Sequence, residues 1–331
     1  MLAVMLAEFG PPSVLMPAEQ PDPVPGPGQV VVEAAFANIT FVETQIRAGR
    51  PPNPAMAPAL PAVLGNGVGG VVRVVGEGAD PALAGTRVVT STGGSGGYAQ
   101  RCAVPAAGLI PVPSPLPADE AVALLADGRT ALALADAAAP RPGETVLVEA
   151  AAGGVGSLLV QLAKRSGACV VALAGGPRKL AAARELGADF AVDYREPGWA
   201  EEVRRTAGPA DVVFDGVGGD AGRDAFGLLR PAGRYAGFGM ASGRFAAIPA
   251  AAGPGVTRLR FGPVTPGQSA ELTRRALALA ASGALRPVIG QRFPLDQAAA
   301  AHAAIEARAT IGKTLLVVNP DRSAARSRRS S

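Results

Sequence analysis

Apolar residues in the first hundred or so positions recur in short blocks, LAVMLAEF, QVVVEAAFANI, GVVRVVGEG, GTRVVTS and YAQRCAVP. Turn-forming clusters such as PDPVPGPG and STGGSGG separate them. Blocks of this length between Gly and Pro punctuation read as strands, so the pattern predicts a β-rich domain with few helices. From about Asp119 the spacing changes. DEAVALLADGRTALALADAA carries a helical period, and GETVLVEA then opens an alternation of apolar strands and helices. The alternation predicts strands at 145–150, 169–174, 189–193, 211–215 and 233–239, with helices at 155–167, 177–187, 198–207 and 220–229 between them. Strands joined by helical crossovers form a parallel, doubly wound α/β sheet. RLRFGPV is a candidate further strand, and TPGQSAELTRRALALAASG is a helix. The last stretch to Val318 resumes a strand, helix, strand layout and is expected to return to the first domain.

This gives a first domain over 1–119, an α/β domain over 120–264, a returning segment over 265–320 and a tail over 321–331 expected to be disordered. The formal charge of +4 is weakly basic and much of it sits in that tail, at Arg322, Arg326, Arg328 and Arg329. No aromatic platform accompanies those arginines, so no nucleic-acid partner is expected. Apolar runs are broken well short of membrane-spanning length and the N-terminus lacks a basic leader, which predicts a cytoplasmic protein with no membrane partner. Cys102 and Cys169 lie in strand-like contexts and imply neither a disulfide framework nor a catalytic thiol.

The candidate chemistry begins where GETVLVEA runs into Ala151, Ala152, Gly153, Gly154, Val155 and Gly156, followed by the amphipathic LLVQLAKRSG. Small residues at a strand-to-helix turn permit close approach of a pyrophosphate, whose charge the helix N–H groups and dipole stabilise. Ala151 replaces the first glycine of the usual G-x-G-x-x-G, so the strand before and the helix after carry the assignment. Where an NAD-selective site places a carboxylate, at the end of the second strand, the chain reads Gly175, Gly176, Pro177, Arg178, Lys179. A 2′-phosphate would meet cations there, which favours NADPH; the alternative is that both cations only decorate a surface helix.

Taken together, AAAGGVGSLLVQLAKRSGA, AARELGADFAVDYRE, DVVFDGVGG, GRYAGFG and ARATIGKTLL resemble the quinone oxidoreductase branch of the zinc-free medium-chain dehydrogenase/reductases. The resemblance runs from ANITFVETQIRAG to Val318. It implies a Rossmann cofactor domain and a β-rich, GroES-like catalytic domain completed by the C-terminal segment, assembled as a homodimer. It also implies that Lys179, Tyr194 and Arg308 hold the adenosine 2′-phosphate and that Gly154 and Val155 lie at the pyrophosphate. Phe238, Gly239, Phe261 and Gly262 would follow the nicotinamide half, with Asn38, in the loop ANITFVET, and Thr130 beside the ring. On the residues alone, Asn38 is almost as well suited to capping a turn, Tyr194 to a strand-end core and Arg308 to a solvated helix. RFAAIPAAAGPGVT is shorter and simpler than the corresponding stretch of typical members.

Zinc enzymes of this fold need Cys and His ligands for a catalytic ion and four cysteines for a structural one. One histidine and two cysteines cannot supply both, and the Gly-His-Glu position of a zinc enzyme reads Gly65, Asn66, Gly67, so no metal is expected. His302, within AAAAHAAIEA, is read as packed or solvated. Without a Lewis acid the expected reaction is hydride transfer from NADPH to a conjugated acceptor, a quinone or an α,β-unsaturated carbonyl, with Asn38 and Thr130 orienting it. Two other readings stay open: an enoyl or enone reductase for one polyketide-like biosynthetic intermediate, and an NADPH-binding structural or regulatory protein with little turnover.

Overall fold

The β-branched runs of the first hundred residues pair into two sheets in a computed structural model that describes residues 1–249, 255–259 and 265–319. The chain divides into two units. One comprises Met1–Ala126, Thr273–Ala281 and the chain from Ile289 onward; the other comprises Asp127–Leu272 and Ser282–Val288.

In the first unit the eleven-residue strand Gln29–Ile39 is the spine. Gly67–Val75 pairs with it antiparallel along most of its length, Arg101–Pro105 pairs with its start, and Lys313–Val317 pairs with its end. The last pairing sets Leu315 opposite Asn38, so the terminal segment does return to the first domain. A second sheet, ordered Leu15–Glu19, Leu2–Leu6, Ala62–Val63, covers a core that includes Val4, Leu6, Val30, Val32, Val68, Val72, Leu316 and Val318. Successive side chains of a strand point to opposite faces, so Val30, Val32 and Ala34 enter this core, and after the register irregularity between Ala34 and Phe36 the core-facing set moves to Ala37 and Ile39.

The second unit is one parallel sheet in the order Phe190–Asp193, Cys169–Ala174, Thr145–Glu149, Ala210–Asp215, Leu229–Gly237, Thr257–Arg258. Its central strands are buried and mainly apolar, as a sheet covered on both faces requires, with Glu149, Asp211 and Asp215 as the acidic exceptions. The chain order places Thr145–Glu149 at the point where the winding reverses, and ligands of such sheets bind outside the carboxyl ends of the strands there. Most element ends fall within three residues of the sequence expectation, and two elements depart further. The fifth strand starts at Leu229, because Ala210 pairs with Leu229 before a register shift carries the ladder on to Arg234. Of the candidate further strand RLRFGPV, Arg258 belongs to the short strand Thr257–Arg258, and 260–264 lie outside the described residues. Phe261 and Gly262, part of RFAAIPAAAGPGVT and the tail 321–331 lie outside the described residues.

Candidate functional site

The carboxyl edge of the parallel sheet carries three groups of residues. At the centre, Thr145–Glu149 ends and the chain turns through Ala150, whose φ is +49°, before the helix Gly154–Arg165 begins with Gly153 as its N-cap. The Gly153 N–H donates to the Ala150 carbonyl at 2.7 Å and the Ala151 N–H to the Leu173 carbonyl at 3.1 Å, tying the turn to the neighbouring strand. A Cβ at Gly156 would lie 2.2 Å from the Ala150 oxygen, and one at Gly154 would lie 1.9 Å from Oδ2 of Asp127. Both glycines therefore keep a closely packed turn open, and the first N–H groups of the helix have no intrahelical acceptor.

The next strand, Cys169–Ala174, ends at Gly175 and Gly176, and the helix Pro177–Glu185 begins with proline in its first turn. Gly176 has φ +93° and its N–H donates to Oδ2 of Asp193 at 2.8 Å. Arg178 is exposed in the first turn of this helix, while Lys179 and Tyr194 are half-buried. The sequence reading missed Arg195. Its Nε lies 3.0 Å from Oδ1 and its Nη2 2.7 Å from Oδ2 of Asp193, and these hydrogen bonds hold the Asp193 carboxyl at about 2 despite its partial burial. The signal was present in VDYRE, two residues after the strand's last carboxylate.

The third group follows Ala210–Asp215. Phe238 and Gly239 donate their N–H groups to the Asp215 carbonyl at 2.9 and 3.2 Å, and a Cβ at Gly239 would lie 2.4 Å from the Gly216 oxygen. Behind them lies a buried acid pair that sequence reasoning also missed. Oδ1 of Asp215 accepts from the N–H groups of Val217 (2.9 Å) and Gly218 (2.6 Å), while Oδ2 accepts the Tyr235 hydroxyl at 2.5 Å. Glu149 is fully buried beside it, and burial first, then the neighbouring Asp215, raise its carboxyl well above the usual range. An acidic residue closing each of two otherwise apolar strands, LVE and VFD, was the available sign.

In the first unit Asn38 lies on the Gln29–Ile39 strand, not in a loop, and it caps nothing. Thr40 is the cap of the helix Phe41–Arg47, in a reciprocal box in which the Thr40 N–H donates to Oε2 of Glu43 at 2.6 Å. Asn38 is 1% exposed, and neither its Oδ1 nor its Nδ2 has a hydrogen-bond partner. A Cβ at Gly67 would stand 2.7 Å from that Nδ2, so glycine is what leaves room beside the amide. A buried amide without partners costs about 1–3 kcal/mol, which a ligand with matching donors and acceptors offsets. Glu43 also accepts the Asn66 N–H at 2.8 Å and so fixes the Gly65–Gly67 run. His302 is packed, not solvated: it is fully buried with Nε2 3.0 Å from the Tyr98 hydroxyl. Thr130 sits partly exposed in the helix Ala118–Ala138, in the stretch from Asp127 on that belongs to the second unit, and Arg308, exposed at φ +53°, follows the helix Ala298–Glu306 of the first.

Two family models match the chain: the alcohol dehydrogenase GroES-like domain over residues 26–114 and the zinc-binding dehydrogenase over 186–316. A zinc site does not fit the residues present. Among the described residues no three of His, Cys, Asp and Glu form a set able to hold a metal, and the single histidine faces Tyr98. The chain is 34% identical to a 2-haloacrylate reductase of Burkholderia sp, over 88% of this chain and 92% of that one. It is 34% identical to a probable quinone oxidoreductase of Schizosaccharomyces pombe, over 97% and 98%. Among solved structures, the Escherichia coli quinone oxidoreductase complexed with NADPH superposes with a TM-score of 0.87 at 29% identity, covering 96% of this chain and 100% of that one. A parallel sheet with a glycine turn at its switch point, a GroES-like unit closed by the C-terminal strand, and similarity along nearly the whole length agree: the chain belongs to the quinone oxidoreductases of the medium-chain dehydrogenase/reductase family and is an oxidoreductase.

Proposed function

We propose that this protein reduces a quinone or another α,β-unsaturated carbonyl by hydride transfer from NADPH, without a metal. The observation that carries the reading is the turn from Ala150 to Gly156, where a Cβ at Gly156 would strike the Ala150 carbonyl and one at Gly154 the Asp127 carboxyl, so glycine lets the helix start tight against the strand end, with first N–H groups that suit a pyrophosphate. NADPH fits this edge, since the helix N-terminus accepts its pyrophosphate and the second strand ends on glycines flanked by Arg178, Lys179 and Tyr194. Gly153, Val155 and Gly176 lend backbone, and Arg308 is the further 2′-phosphate donor that the family resemblance brings. Phe238 and Gly239, with Phe261 and Gly262, follow the nicotinamide half.

When bound, NADPH supplies the hydride from its ring. The chain's part is orientation, exclusion of water and hydrogen bonding to the acceptor oxygen as it gains charge. The partnerless amide of Asn38 is suited to that oxygen or to the carboxamide of the ring, and the Thr130 hydroxyl is the second candidate. No described side chain is identified as an acid for the product, and water completes the protonation. A second reading, reduction of one particular conjugated acid, takes its support from the 2-haloacrylate reductase relative. The homodimer follows from the family resemblance.

The test is consumption of NADPH, and separately NADH, with a panel of quinones, enones and 2-haloacrylate, with and without a chelator. Turnover that prefers NADPH and ignores the chelator is expected. Asn38→Ala should lower kcat while the NADPH Kd stays as it is, and unchanged turnover removes Asn38 from the mechanism. Tight NADPH binding without turnover on any acceptor would refute the broad reductase reading.

A further inference from the structure

The two strands that end at the adenosine side, Cys169–Ala174 and Phe190–Asp193, run parallel with Ala174 opposite Asp193. Their following turns therefore lie side by side, and the Arg195 side chain folds back across the gap. A Cβ at Gly175 would lie 3.1 Å from Arg195 Cδ, and one at Gly176 would lie 3.0 Å from Arg195 Nη2. We propose that Arg195 is a specificity-determining residue of this site, supplying a cation to the adenosine 2′-phosphate; the proposal rests on the NADPH reading above.

The charge arrangement carries it. An NAD-selective site needs a free carboxylate to accept the ribose hydroxyls. Here the carboxylate bound to the glycine turn is Asp193, which is 12% exposed and already accepts from the Gly176 N–H, the Arg195 N–H and the Arg195 guanidinium. Its acceptor capacity is taken, so it offers a 2′-hydroxyl little. Arg195 is 56% exposed, and its contacts with Asp193 run through Nε and Nη2, leaving the Nη1 donors of the fork for an incoming anion. A guanidinium fork matches a phosphate better than an ammonium does. The Asp193–Arg195 pair thus converts a position of hydroxyl acceptance into one of phosphate donation. A side chain at either glycine would crowd the guanidinium by a few tenths of an ångström, so the two glycines let it lie close over the turn.

Losing Arg195 has two consequences in the same direction: a cation disappears and the Asp193 carboxylate is uncovered toward the phosphate. Calorimetric titration of the full-length apoprotein with 2′,5′-ADP and with 5′-AMP separates them from a general defect, since the two ligands differ only in the 2′-phosphate. Wild type should prefer 2′,5′-ADP. In Arg195→Gln that preference should fall by about tenfold or more, with 5′-AMP affinity not reduced and the folded structure retained by circular dichroism. Arg195→Lys should retain part of it, as a point charge without the fork. With a working acceptor, Arg195→Gln should raise KM for NADPH, leave kcat alone and not raise the KM for NADH. A preference that survives in Arg195→Gln overturns the proposal while leaving the NADPH reading standing. Equal loss for both ligands overturns it as well, by making Arg195 a support of the turn. A wild type without preference for 2′,5′-ADP removes the NADPH reading and this inference with it.

Discussion

Acidification should destabilise the GroES-like unit through one residue, the chain's single histidine. His302 is fully buried against Tyr98, with ring centroids 5.7 Å apart in an edge-on contact. Burial first, and the Arg47 guanidinium second, push its imidazole down to about 3 from the ordinary 6.5. The unfolded chain therefore binds a proton near pH 6.5 that the native chain refuses until about 3, and stability falls through that window as pH falls. The slope is about 1.4 kcal/mol per pH unit, so going from about pH 7.5 to about pH 5 removes about 2 kcal/mol through His302 alone. His302→Gln keeps a polar partner for Tyr98 and carries no titration. Urea unfolding of the two proteins at both pH values isolates the term, because the variant's stability relative to wild type should rise by about 2 kcal/mol on acidification. With one histidine in the chain, its ring resonances report the titration directly. An imidazole that titrates between about 6 and 7 in the folded protein, or a variant with the wild-type pH slope, would refute the reasoning.

Gly156→Ala puts a methyl 2.2 Å from the Ala150 oxygen, so the turn must shift; NADPH affinity should fall by about tenfold or more while secondary structure by circular dichroism is retained. Asp215→Ala strips acceptors from the Val217 and Gly218 N–H groups and from the Tyr235 hydroxyl, and should cost about 3 kcal/mol or more in denaturant unfolding. Glu149→Gln mimics the neutral acid that burial and Asp215 favour, and should cost less than about 1 kcal/mol at low pH. A raised carboxyl means that wild type loses stability as pH rises through it, so Glu149→Gln should lack that loss and overtake wild type at higher pH.

The doubly wound sheet was legible in the sequence because strand and helix differ in period, and blocks such as TVLVE and CVVALA are long enough to show it. The glycine turn between the strand Thr145–Glu149 and the helix Gly154–Arg165 was legible for a related reason: glycines between a strand and a helix are a local requirement, written in adjacent residues. What the sequence could not supply depends on pairs distant along the chain. Asn38 reads as a loop amide until Lys313–Val317, almost three hundred residues later, pairs with its strand and buries it. Arg195 reads as one more surface cation until the parallel register sets Asp193 beside Ala174 and brings the guanidinium back over Gly175 and Gly176. Glu149 and Asp215 meet only because their strands are neighbours in the sheet, and His302 loses its proton because the fold buries it, with the Arg47 guanidinium adding to the effect. Period and turn chemistry are properties of neighbours in sequence, whereas burial, charge pairing and acidity are set by neighbours in space.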